Sequence, residues 1–148
     1  MMKLSTKARY ALRAMVELAC REGKGPIQLR EIAKAQALSP KYLEQLTISL
    51  RNAGLIRSER GPNGGYWLSR PAGQITALDV VSAAEGPVTL VECIAQSSVC
   101  ERSAACAARR LWTKVSSAIS DTLAEVTLAD LREEQMAANS SQAFCYQI

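Results

Sequence analysis

The stretch "SPKYLEQLTISLRNAGLIRSERGPNGGYWLSRP", Ser39–Pro71, constrains the fold more than any other part of the chain. Ser39 followed by Pro40 marks a helix start, because a serine hydroxyl caps free backbone N–H groups and proline is tolerated at the first helical position. Leu43, Leu46 and Leu50 recur at helical spacing and point inward, leaving Lys41, Glu44, Gln45, Ile48 and Asn52 on the opposite face. Gly54 supplies the stop. "LIRSERGPNGGYWLSRP" then reads as two short strands joined by a glycine-rich turn, Gly61–Gly65. Upstream, Ala8, Ala11, Leu12, Met15 and Ala19 form a helical stripe capped by Ser5 or Thr6. "GKGP" ends that helix and "LREIAKAQ", Leu29–Gln36, forms a short second one. Two short helices followed directly by a hairpin make the winged-helix arrangement, in which the second helix enters the major groove and the wing lies on the flanking backbone.

Charge agrees with that arrangement. Residues 1–75 hold thirteen Lys/Arg against five acids, a net +8, whereas residues 76–148 hold five against nine, a net −4. The first half is suited to a polyanion, double-stranded DNA. Lys41, Glu44 and Gln45 on the outer helix face are candidate base-reading residues. Arg57 and Arg60 on the hairpin, with Asn63 in its turn, can reach phosphates or base edges. A carboxylate such as Glu44 accepts a hydrogen bond from cytosine N4 and repels wrong bases.

The second half begins with a helix at "TALDVVSAAEG", Thr76–Gly86, and continues into "CIAQSSVCERSAAC". Cys93, Cys100 and Cys106 have the spacing C-x6-C-x5-C, which matches no standard zinc motif, and the chain contains no histidine. Three soft ligands on a loop suit an iron–sulfur cluster, and three incidental or redox-active thiols are the other reading of that spacing. Beyond the loop, Leu111, Val115, Ala118 or Ile119, Thr122 or Leu123, and Val126 form an apolar stripe on a helix over Ala107–Val126, a surface that a second copy of the chain would bury. "TLADLREEQ", Thr127–Gln135, is a short capped helix, and residues 136–148 read as a flexible tail.

The expected fold is therefore mainly α with a small β-hairpin. It comprises a winged-helix DNA-binding domain at 1–75, a linking helix and cysteine loop at 76–106, dimerisation helices at 107–135 and the tail. The N-terminus lacks the apolar block of a signal peptide and nothing reads as a membrane span, so a cytoplasmic location is expected, where thiols stay reduced. An enzyme is not expected. No histidine is present for acid–base work, and "GPNGG" has neither the lysine nor the spacing of a phosphate-binding loop.

"MKLSTKARYAL", "SPKYLEQL", "RGPNGGYWL" and the three spaced cysteines together resemble the Rrf-type winged-helix transcription regulators, over Met2 to about Leu131. Within that family "KARYAL", "YLEQL" and "RGPNGGY" look most like the iron–sulfur regulators of the IscR type. The resemblance implies a homodimer on a palindromic operator, acting as a repressor. It implies Glu44 and Arg60 as DNA-contacting positions with Lys41 beside them, and Cys93, Cys100 and Cys106 as ligands of a two-iron or four-iron cluster. The alternative is a cluster-free thiol-redox or metal-responsive winged-helix regulator. Arg109 stands where IscR-type proteins place a histidine, three residues after the last cysteine. Arg9 stands where other members use an acidic residue, and the first cysteine interval is one residue longer than in IscR. The fourth ligand is thereby left unassigned, with Cys20, Cys145, Glu92, Glu101 and an exogenous molecule as the candidates.

Overall fold

A computed structural model describes residues 4–145. Helix α1, Thr6–Cys20, begins where the Ser5 hydroxyl accepts the Ala8 N–H, and it buries Ala8, Ala11, Ala14, Met15, Leu18 and Ala19. Alanine at four of those positions lets neighbouring helices approach α1 closely on several sides. Helix α2, Leu29–Gln36, and helix α3, Pro40–Asn52, pack on it. The turn between them passes through Ala37 in the left-handed region (φ 51°), a conformation that usually falls to glycine or asparagine. Ser39 caps α3 and Pro40 opens it, as the sequence predicts, and Leu43, Leu46 and Leu50 are buried.

The wing is an antiparallel hairpin of β1, Ile56–Glu59, and β2, Gly65–Leu68, paired from Ile56↔Leu68 to Glu59↔Gly65. Gly65 thus belongs to β2 rather than to the turn. Its reason is a third strand-like contact. Ile27 and Tyr66 exchange two main-chain hydrogen bonds, Ile27 N–H to the Tyr66 carbonyl at 2.9 Å and Tyr66 N–H to the Ile27 carbonyl at 2.8 Å. A side chain at residue 65 would overlap the Ile27 backbone. Gln28 Nε2 adds a bond to the Pro62 carbonyl at 3.2 Å, so the residues before α2 hold both the strand and the tip of the wing.

Helix α4, Ala77–Glu85, starts in a reciprocal Thr76–Asp79 cap and packs on α1. A segment that the spacing leaves as plain loop holds short turns of structure: helix α5, Glu92–Ala95, and 3-10 turns at Ser97–Val99 and Ser103–Ala105. Helix α6, Ala107–Glu125, follows the expected span within one residue. Helix α7, Leu128–Cys145, does not. The tail expected from residue 136 is helical to Cys145, and Tyr146–Ile148 lie outside the described residues. No Gly or Pro interrupts Leu128–Cys145 and alanines favour the helix, while the Ser140 and Ser141 hydroxyls turn back onto the Met136 and Ala137 carbonyls. The start of α7 is tied to the start of α4 by Ala77 N–H to the Val126 carbonyl at 2.8 Å and Leu128 N–H to the Ile75 carbonyl at 2.9 Å. Leu128 is fully buried against the α1 core. Among the described residues no helix is long and apolar enough to cross a membrane.

The close approach at the wing gives the first prediction. Gly65→Ala must push the Ile27 strand away from β2 and is expected to cost about 1–3 kcal/mol. Urea denaturation of the variant beside the parent chain measures it; an unchanged midpoint would show that the wing is not anchored through this contact.

Candidate nucleic-acid interface and thiol loop

Helix α3 carries its apolar residues inward and leaves Lys41, Glu44, Gln45, Ile48, Arg51 and Asn52 exposed. The wing stands beside that face. A groove of about 320 Å³ between them is lined by Glu44, Ile48, Arg51, Ser58, Arg60 and Tyr66. It brings Glu44 of the helix and Arg60 of the wing to one surface. Lys41 and Gln45 share the outer helix face, while Arg57 is exposed on β1 opposite Trp67 and Asn63 is exposed at the wing tip. Arg57 and Asn63 are not part of the groove wall.

Sequence reasoning missed Arg51. Its Nη1 donates to Ser58 Oγ at 3.3 Å, linking the last turn of α3 to β1. Helical spacing from Glu44 and Ile48 gives the signal, since seven residues along bring Arg51 onto the Glu44 face. Tyr42 was missed as well: its ring meets Tyr10 of α1 edge-on at 5.7 Å, and the Arg9 and Arg13 guanidinium groups lie 5.8 and 5.6 Å from the Tyr10 ring centre. Arg13 Nε also donates to Gln36 Oε1 at 3.2 Å, so this arginine braces α1 against α2.

The second set of candidates lies along the chain between α4 and the start of α6. Cys93 is in α5, Cys100 follows the first 3-10 turn, and Cys106 is the N-cap of α6, its Sγ accepting the Arg109 N–H at 3.4 Å. All three thiols are unpaired; Cys100 is exposed and the other two are half-buried. Among the described residues no three of Cys, Asp and Glu stand close enough together to hold a metal ion. The segment is nevertheless anchored to α6, since Leu90 N–H donates to the buried Ser116 Oγ at 3.2 Å and Arg109 Nε donates to the Cys93 carbonyl at 2.9 Å. Three thiols match an iron–sulfur cluster in ligand type. The donor set therefore fits in its chemistry, although the structure does not bring the three thiols together. Cys20 is remote in kind. It packs half-buried on the α1 core, and desolvation, then the Glu17 carboxylate, push its thiol above the ordinary value.

Helix α6 is amphipathic in sequence, yet only Ser116 of its nineteen residues is buried. Leu111 and Trp112 are exposed, and Val115, Ile119 and Leu123 are half-buried.

A helix pair, a wing braced against it and an arginine-bearing groove between them define a winged-helix regulator of transcription. The model for the iron-dependent transcriptional regulators, Rrf2, matches residues 4–134, and the chain belongs to that family. It is 44% identical over 130 residues to the transcriptional regulator CymR of Bacillus subtilis, covering 88% of this chain and 89% of that one. It is 39% identical over 133 residues to IscR of Vibrio atlanticus, covering 90% and 76%. The solved structure of CymR, the global cysteine regulator of B. subtilis, superposes with a TM-score of 0.75 at 43% identity, over 90% of this chain and 98% of that one. IscR of T. potens gives 0.72 at 37% identity, over 93% and 90%. The family regulates transcription; its members are not enzymes.

Arg60→Ala is expected to weaken operator binding by about 1–3 kcal/mol and to relax the preference at one base pair, as loss of a base-edge contact does. Titration against a set of singly substituted duplexes measures it. A loss equal on every duplex would make Arg60 a phosphate contact, and no loss would remove the wing from the interface.

Proposed function

We propose that this DNA-binding regulator acts as a cytoplasmic homodimer on a palindromic operator, as a repressor, and that the state of Cys93, Cys100 and Cys106 sets its affinity. The observation that carries the DNA reading is the groove shared by Glu44 of α3 and Arg60 of the wing, beside the exposed Lys41 and Gln45. Arg57 and Asn63 extend the same reading to the flanking backbone. The dimer reading rests on α6. This nineteen-residue helix has one buried residue and leaves Leu111 and Trp112 exposed, and a second α6 is the surface that matches its stripe. Two-fold pairing would set the recognition helices about one turn of DNA apart.

For the thiols, the first reading is an iron–sulfur cluster held by Cys93, Cys100 and Cys106, with the fourth corner supplied from outside the trio. Three thiols in one segment and the family's iron-dependent description support it. A bound cluster would supply an oxidant-sensitive centre, with Cys93, Cys100 and Cys106 as its holders between the wing domain and α6. With no histidine in the chain, the fourth corner falls to a carboxylate, a remote thiol or an exogenous donor. The cluster-free thiol-redox reading is favoured by one observation, the exposed thiol of Cys100.

Two experiments decide these points. Sedimentation is expected to give a dimer at micromolar concentration; a monomer there would overturn the α6 pairing. Protein made and kept without oxygen is expected to contain iron and sulfide, and serine at Cys93, Cys100 or Cys106 to remove them. Cys20→Ser and Cys145→Ser are expected to keep them. Colourless, iron-free protein would leave the thiol-redox reading, and loss of iron in Cys20→Ser or Cys145→Ser would name that residue as the fourth ligand.

A further inference from the structure

We propose that Ile48 of α3 is a specificity-determining residue of the DNA interface, packing its side chain against the C5-methyl group of a thymine in the major groove. The inference rests on the reading that α3 and the wing together form that interface. It adds an apolar contact to the polar ones given to Glu44 and Arg60. Between Ser5 and Ser98, Ile48 is the one exposed large hydrophobic side chain, at 48%. The others among the described residues are Leu4, Val99, Leu111, Trp112 and Met136, at the start of the chain, in the thiol segment and on α6 and α7. Single exposed apolar residues are ordinary on a protein surface. The place of this one is not. It stands on the wall of the groove between α3 and the wing, where every other lining residue carries a hydroxyl, carboxylate or guanidinium group.

Helical spacing isolates it further. Glu44, Gln45, Arg51 and Asn52, the residues three and four positions to either side, are all exposed and polar. Ile48 thus has no apolar neighbour on its own helix face, and it lies outside the hydrophobic core and the side chains packed on that core. Isoleucine is also a poorer helix former than the Lys41, Gln45 and Arg51 that share the face. Burial against a partner molecule is what makes such a side chain favourable. In the major groove the edges of adenine, guanine and cytosine present hydrogen-bonding groups, and thymine alone adds a methyl group. Glu44, one turn back along α3, is suited to cytosine N4. Four residues of helix advance about 6 Å and base pairs follow one another at about 3.4 Å, so the two contacts fall within about two base pairs of each other. Arg51 is tied to Ser58 of β1, so the Ile48 face and the wing meet DNA as one surface.

The full chain, kept without oxygen, is used to select a duplex from a random pool, and each thymine of that duplex is then replaced in turn by deoxyuridine. The exchange deletes the methyl group and keeps the pairing with adenine. Wild type is expected to lose about three- to fivefold in affinity at one thymine position, as removal of one buried methyl group does. That thymine should lie within about two base pairs of the position whose preference shifts in Glu44→Ala. Ile48→Ala is expected to bind the thymine and uracil duplexes equally, and Ile48→Val to keep part of the difference. A merely structural role for Ile48 would weaken Ile48→Ala on every duplex alike and leave its preference for thymine in place; that result overturns the proposal. So does a wild type indifferent to uracil at every position. Glu44→Ala and Arg60→Ala are titrated beside these variants against every single base-pair exchange. If either changes a base preference while Ile48→Ala does not, the thymine contact alone is overturned. If none of the three changes any preference, the reading of the groove falls with it.

Discussion

The alanine-lined surface of α1 is the constraint on which the rest of the molecule depends. Ala8, Ala11, Ala14 and Ala19 are all buried, and with them Met15 and Leu18. Small residues let α2, α3, α4 and α7 close on one helix, so the DNA-facing half and the thiol-bearing half share one core. Met15 alone is the large, adaptable filler at full burial on this helix. Larger side chains at the alanine positions would separate the helices and carry the α3 face away from its present angle, because close-packed interiors yield little to added volume.

From that core the wing is placed by backbone chemistry. The Ile27–Tyr66 pair of hydrogen bonds and the absence of a side chain at Gly65 fix the hairpin to the segment before α2, and Arg51 joins the end of α3 to β1. Helix face and wing are thereby held in one relation. Rigid placement matters for recognition because phosphate contacts set register and only then can base contacts discriminate. The net charge of the first half, +8, favours a polyanion, and the groove brings Glu44 and Arg60 to one surface.

Much of this was legible in the sequence because it rests on local rules. Ser39–Pro40 announces α3, the leucine spacing fixes its inward face, and the glycine-rich turn announces the hairpin. What was not legible depends on contacts between distant residues. Gly65 serves β2 because of Ile27, nearly forty residues earlier. Ala37 turns the chain between α2 and α3 without the glycine that would have advertised it. Residues 136–148 read as a tail, yet a run with no Gly or Pro continues α7 to Cys145. For the site, helix periodicity and turn position pointed to Lys41, Glu44, Gln45 and Arg60, all of them exposed in the structure, and the same periodicity carries Arg51, whose bond to Ser58 Oγ ties it to the wing. The thiols were evident at once. The bond from Arg109 to the Cys93 carbonyl was not, since it joins a helix to a main-chain oxygen and leaves no trace in spacing.

The proposed account joins these parts through the segment between α4 and α6: the state of the thiols changes how α6 is held, and α6 sets how two recognition helices are spaced. Its most direct test is one binding titration performed twice. Protein prepared without oxygen is measured on an operator duplex at fixed salt, then measured again after its iron has been removed by a chelator under the same conditions. The account predicts affinities that differ by about tenfold or more, roughly 1.4 kcal/mol, with the protein dimeric in both states. Equal affinity before and after removal, on protein shown to have lost its iron, would contradict it.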